Sequence, residues 1–328
     1  MKSIKKILVA VKDPSAKNSP AIAKAAQIAK GLNARVTLFH DIATPLYAEG
    51  VYASQMDFKS IQSTTQAKRC EQLEKIAQRV RLHGIDVDVA AEWDFPIFEA
   101  VIRMARRSAA DLVITENHAG GAHRARWLLT YTDWELLRHC PVLTLLVKSK
   151  TLYHRPRILA SVDPMHAYAK PANLDRRILE TSQQIVDALR GELHVLHAFM
   201  PPLPIIPSFA AGPMIDMSTE RDETEKTARI KVARAAKLAD VSAKRLHVIE
   251  GRPFEVIPTV AKSTKSAIVA MGAISRSGFK RFFIGNTAEG VIDALTCDIL
   301  VVKPQHFESH VPRSVRGVQI LSTPMLPG

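Results

Sequence analysis

The chain has 328 residues, 47% of them hydrophobic and 23% charged, and a formal net charge of +13. That length exceeds one comfortable core and suits two ordinary domains, and the composition is that of a globular protein rather than a disordered or fibrous one. No apolar run is long enough to span a bilayer, which argues against a transmembrane segment.

The N-terminus is basic and then apolar, but its apolar part, Ile7–Val11, is too short for a signal sequence and is closed by Lys12 and Asp13. It reads as a first strand, and the chain as cytoplasmic. The cysteines Cys70, Cys140 and Cys297 are odd in number, far apart and without a CxxC pair. They indicate neither a zinc site nor a disulfide frame, and are expected as idle thiols in a reducing compartment. The positive charge is spread over short clusters, Arg103–Arg107, Arg124–Arg126, Lys280–Arg281 and Arg313–Arg316. No nucleic-acid-binding motif accompanies them, so no specific nucleic-acid partner is expected.

An internal repeat with a period of about 155 residues runs through the chain. Lys6-Ile-Leu-Val-Ala-Val-Lys-Asp-Pro14 returns as Arg157-Ile-Leu-Ala-Ser-Val-Asp-Pro164. The strand block around Ala34–Asp41 returns at Gly191–Ala198, and those at Trp93–Val101, Ser108–Ile114 and His139–Lys148 return in the same order. The halves are copies joined near Ser149–Arg155, giving domains over 1–150 and 151–307 and a C-terminal tail, 308–328, without periodicity and expected to be flexible or to lie on a neighbour.

Each half alternates short Val/Ile/Leu-rich runs with helical patterns. Strands are predicted at 5–11, 35–39, 86–90, 111–115 and 142–147, then at 157–162, 192–198, 245–250, 267–271 and 298–302. Ser19 and Pro20 open the first helix and Gly31 is expected to end it. Pro96 and Pro253 open the third helix of each half, and Asn286 or Thr287 the last. The order defines two tandem α/β units, each a doubly wound parallel five-stranded sheet. The segments 41–58 and 199–219 leave the carboxyl ends of the sheets, where ligands bind in such folds. The apolar residues of the second, Phe199, Leu203, Ile205, Ile206, Phe209, Met214, Ile215 and Met217, are expected to pack against the other half or to close an apolar pocket.

The run Met271-Gly-Ala-Ile-Ser-Arg-Ser-Gly278 through Gly285-Asn-Thr287 follows a strand and precedes a helix. Its glycines admit close backbone approach, the helix start offers unpaired amides, and Arg276, Lys280 and Arg281 add positive charge, so the segment suits an anion such as a nucleotide phosphate. Read structurally, the same glycines serve only turns and packing. Asp13 and Asp163 end the first strands, where they face a ligand or open an Asp-Pro turn. His40 and Asp41 are neighbours in sequence, while His194 and His197 fall on opposite faces of one strand and cannot share a metal from it. No metal site is expected, and no catalytic residues are assigned, since no nucleophile elbow or positioned base is recognisable.

The segment resembles the nucleotide loop of the universal stress protein family, Gly-x-x-Gly, nine residues, then Gly-Ser or Gly-Thr. Gly272 matches the first glycine, Ser275 stands at the second, Gly285 matches the third, and Asn286 with Thr287 replaces the hydroxyl residue. Gly285-Asn-Thr-Ala-Glu289 and the tandem layout resemble the two-domain type E members in particular. The resemblance implies a Rossmann-like, adenine nucleotide alpha hydrolase-like fold and an intramolecular pseudo-dimer in which Leu143–Val147 and Ile299–Val302 meet edge to edge. It implies a stress-response protein with ATP and Mg2+ at Val162, Asp163, Met271, Gly272, Ser275, Arg276, Gly278, Gly285, Asn286 and Thr287. Ser275 would strain a left-handed backbone there, and Glu116 in the first half would repel a phosphate, so ATP is expected in the second half only. The alternatives are an interaction scaffold for protein partners, a binder of a small apolar molecule, and a weak ATPase. A further homodimer is compatible with the sequence but not specified by it.

Overall fold

The computed structural model describes residues 3–43, 46–48, 58–117, 131–165, 173–201, 218–272 and 286–322. The chain divides into two compact units, one of residues 1–153 with 306–328, the other of 154–305.

In the first unit, β1 (Lys6–Ala10), β2 (Arg35–Asp41), β4 (Val87–Glu92), β5 (Leu112–Glu116) and β6 (Leu143–Val147) form a parallel sheet in the order β4-β2-β1-β5-β6. A short β3 (Leu46–Ala48) follows β2. Helices α1 (Pro20–Leu32), α2 (Phe58–Arg81), α3 (Ile97–Arg107) and α4 (Tyr131–His139) cross between the strands. Apart from Lys6 and Glu116 at their ends, β1, β5 and β6 are buried, as strands covered on both faces must be. The second unit repeats the plan with β7 (Arg157–Ser161), α5 (Leu174–Leu189), β8 (Glu192–Phe199), α6 (Ser218–Ala236), β9 (Leu246–Glu250), α7 (Pro253–Ser263), β10 (Ile268–Gly272), α8 (Asn286–Ala294) and β11 (Asp298–Val302). Its parallel order is β9-β8-β7-β10-β11. The two predicted doubly wound sheets are present, with the strands within a residue or two of their expected bounds.

The helix signals act as written at α1's start, where the Ser19 hydroxyl accepts from the Ile22 amide and Pro20 takes the first position. The end differs from expectation. Gly31 lies inside the helix, and Asn33 closes it in the left-handed conformation at φ 51°, ψ 51°. Asparagine tolerates that region well enough to do a glycine's work. Beyond β6 the chain is pinned to α1: Lys24 Nζ donates to the Ser149 carbonyl at 2.7 Å and lies 4.8 Å from the Tyr153 ring centre, and Gln27 exchanges two hydrogen bonds with the Tyr153 backbone. The first unit therefore holds the chain through Tyr153 before the second begins.

Residues 306–322 return to the first unit. Val311 is buried in the cluster of Leu8, Phe39, Phe98, Leu136 and Cys140, and β12 (Ile320–Ser322) pairs in parallel with β3. The segment lacks periodicity because it is held piecewise, not as one regular element. None of the three cysteines is in a disulfide, and Cys140 is buried.

Two glycines separate close packing from open space. Gly191 immediately precedes β8, and a Cβ there would lie 2.2 Å from the Pro156 carbonyl oxygen, whereas one on Gly290 in α8 would meet only the Phe254 Cβ at 3.6 Å. Gly191→Ala should cost the second unit about 2 kcal/mol, and Gly290→Ala should add up to about 1 kcal/mol by relieving helical glycine's entropy cost. Urea unfolding of both variants checks this; equal effects would mean that the β8 entry tolerates a side chain.

Candidate functional site at the carboxyl end of the second sheet

Of the residues expected around a ligand, Val162, Asp163, Met271 and Gly272 lie where β7 and β10 end side by side. Ala160 pairs with Ala270, so Met271 and Gly272 finish β10 beside Ser161 and Val162. The Val162 amide donates to the Leu196 carbonyl at 2.9 Å. The Val162 carbonyl takes a hydrogen bond at 3.0 Å from Nδ1 of buried His197, which must therefore carry the ring proton. The Asp163 amide donates to Asp175 Oδ1 in the first turn of α5 at 3.1 Å, and Asp163 Oδ1 lies 3.9 Å from His197 Nδ1. A Cβ on Gly272 would stand 2.6 Å from Leu174 Cδ2 and 3.4 Å from Ile178 Cδ1. A side chain there would have to displace the Leu174 methyl, so the glycine lets α5 pack close to the strand end. Asn286 and Thr287 open α8 as expected. Ser275, Arg276, Gly278 and Gly285 lie outside the described residues, as do the apolar residues from Leu203 to Met217.

The first unit carries the same frame with different contents. The Val11 amide donates to Phe39 O at 2.7 Å, and His40 Nδ1 donates to the Val11 carbonyl at 2.8 Å. His40 and His197 thus do one job twice, closing the end of the first strand from the second. The repeat had aligned them, and that column was the available signal. The reading of His40 with its neighbour Asp41 missed it, because the ring's partner is a backbone carbonyl on another strand. Asp13 accepts from the Ser15 hydroxyl at 2.5 Å and the Ser15 amide at 2.8 Å, an Asx turn. These bonds, helped by Arg69 and His40, hold the Asp13 carboxyl below its ordinary range.

The strand registers place Glu116 where the second unit has Gly272: Ile7 sits beside Leu112 as Ile158 sits beside Ile268, and each residue ends its strand four positions on. Glu116 accepts from the Ala21 amide at 3.0 Å and from the Ser19 hydroxyl, so its carboxylate occupies the amide-rich start of α1. The anion-binding end of that helix is filled by the protein itself. In the second unit, Asn173 stands at the N-cap of α5 in a left-handed conformation, with no side-chain cap bond.

His194 leaves the β8 face opposite His197 and stacks on His247 of β9, with ring centres 5.4 Å apart and Nδ1 3.1 Å from Nε2 of His247. Among the described residues, no group of three His, Cys, Asp or Glu side chains is placed to hold a metal ion, and no helix is long and apolar enough to cross a membrane.

The fold defines a tandem α/β protein of the doubly wound parallel-sheet class. The model of the universal stress protein family matches residues 3–148 and again 170–303, and the chain belongs to that family. It is 27% identical over 311 residues to universal stress protein E of Escherichia coli K12, covering 93% of this chain and 96% of the relative. A putative universal stress protein from Pseudomonas aeruginosa UCBPP-PA14 superposes with a TM-score of 0.69 at 23% identity, covering 92% of this chain and 94% of that one. A universal stress protein from Archaeoglobus fulgidus superposes with a TM-score of 0.59 at 16% identity, covering 92% and 97%. These two likenesses concern the fold.

Burial lowers the pKa of His194, His247 and His40, and the His194 proton would also face His247, with Arg157 and Arg245 opposing it and Glu192 favouring it. Folded imidazoles therefore bind protons less readily than unfolded ones, whose pKa is about 6.5. Stability should be level above that value, fall as the pH drops through 6.5 towards the lowered folded pKa, and then level again. Loss of the Asp13 contribution belongs to a lower window, below about pH 4. Thermal unfolding between pH 7.5 and 5 should show the first loss, and His194→Asn with His247→Asn should reduce it; an unchanged profile would clear this pair of any part in it.

Proposed function

We propose that this chain is a stress-response ligand-binding protein of the cytoplasm that takes an adenine nucleotide, ATP with Mg2+, at the carboxyl end of the second unit's sheet. No efficient turnover is expected, because the sequence shows no recognisable catalytic base in the loop between Met271 and Thr287. One observation carries the reading: equivalent strand ends hold Glu116 on the α1 amides in the first unit and Gly272 in the second. A carboxylate seated at a helix start excludes a phosphate from it, whereas glycine brings no competing charge. The partial loop motif, Gly272, Ser275, Arg276, Gly278 and Gly285 followed by Asn286 and Thr287, supports the same assignment, with Val162, Asp163 and Met271 forming the floor.

A second reading rests on Leu174. Its side chain fills the space beside Gly272, and a glycine kept for helix packing fits a scaffold that binds protein partners or a small apolar molecule without a nucleotide.

Calorimetric titration with Mg-ATP separates the two. The nucleotide reading expects one site per chain, abolished by Gly285→Val and retained by Glu116→Gln. Absence of heat and of thermal stabilisation at millimolar ATP would overturn it in favour of the scaffold.

A further inference from the structure

The first unit contains a buried charge that is balanced, among the described residues, from outside residues 1–153. Two residues beyond β4, Asp94 accepts from Arg103 Nε at 2.6 Å and Nη2 at 2.7 Å, while Glu99 accepts from Arg103 Nη1 at 2.9 Å. The side chains of Arg103 and Asp94 are 0% and 1% exposed and that of Glu99 is 11% exposed. Two carboxylates against one guanidinium leave one negative charge in excess, and an unmatched charge at such depth is costly. Arg316, far along the chain, supplies the second guanidinium. Its Nη2 donates to Glu99 Oε1 at 2.9 Å, its amide donates to Asp94 Oδ1 at 3.0 Å, and its guanidinium lies 5.8 Å from the Phe95 ring centre.

Other contacts fix the direction of the same segment. Arg106, near the end of α3, donates to the carbonyls of Val311 at 2.6 Å and Ser309 at 2.8 Å. Arg316 then meets the start of α3, and Ile320–Ser322 pairs with β3, five residues beyond the end of β2. The segment thus runs backwards along α3. It reaches the loops that follow β2 and β4, at the carboxyl end of the first sheet where this architecture places ligands.

We propose that residues 309–322 form an intramolecular strap, recognised by the arginine socket of Asp94, Glu99 and Arg103, that holds the carboxyl end of the first unit shut. The occupant is the chain's own C-terminal segment. The first unit is complete only after the second has been made and the chain has returned.

Hydrogen exchange on the full chain tests this, read by mass at residues 309–322 and 46–48. In the unaltered protein both stretches should be protected. Arg316→Ala should speed exchange about tenfold or more in both together, as expected when a partly buried ion pair is lost, with β8 and β10 unchanged. Arg316→Lys should recover part of the protection. Because Arg316 is 43% exposed, its replacement is compatible with folding. The effect of Arg316→Ala should shrink in a Glu99→Gln background, which shows that it acts through the socket. Unprotected strap amides in the unaltered chain, or an Arg316→Ala change confined to its own neighbours, would overturn the proposal. So would protection that rises with protein concentration in step with a dimer, since the strap would then come from a second copy.

Discussion

Five parallel strands leave their last backbone groups at one end of the sheet, and those groups must be met before any loop there can hold a shape. Both units meet them alike. The residue after the first strand, Val11 or Val162, gives its amide to a carbonyl of the second strand, and its own carbonyl receives the ring proton of a histidine from that strand. The loop carrying Asp13 or Asp163 hangs from this closure. Everything that distinguishes the units as binding surfaces is attached beyond it, so the frame is shared while the contents are free to diverge.

The divergence is electrostatic before it is geometric. In the first unit, the Asp13 loop is tied off by Ser15 and the α1 amides are taken by Glu116. A carboxylate in that position serves the protein as a cap and denies the place to another anion. In the second unit, glycine stands at the Glu116 position and Asp163 is held by its amide to Asp175, which leaves its own carboxylate near His197. On the reading proposed above, one copy has turned its ligand end into internal structure while the other has kept it.

The strands were legible because parallel strands buried on both faces must be apolar throughout, and Pro20, Pro253 and Ser19 marked helix starts by local chemistry alone. Gly31 misled because Asn33, two residues on, was equally able to take a left-handed cap. Glu116 was recognised as a charge at a strand end, but its cap on α1 depends on a contact 95 residues away in sequence. The same holds for His40, whose partner is a main-chain atom and so leaves no mark in the pattern of side chains.

The arginine clusters show why charge runs read poorly from sequence. Arg103–Arg107 and Arg313–Arg316 look like two basic surface patches that should repel one another. In the fold Arg103 is buried between Asp94 and Glu99, Arg106 is spent on main-chain carbonyls, and Arg316 completes the acids that Arg103 leaves in excess. A chain with an excess charge of +13 can bring two basic segments together because the contact is organised around buried carboxylates rather than around the bulk sum. Half-exposed Arg316 gains from that arrangement what a solvent-exposed pair would lose to screening, since both of its acceptors are themselves held rigid and largely out of water. The seam between the C-terminal segment and α3 is therefore specified by charge count as much as by shape, and a tail with no periodicity of its own is held in place by the helix it crosses.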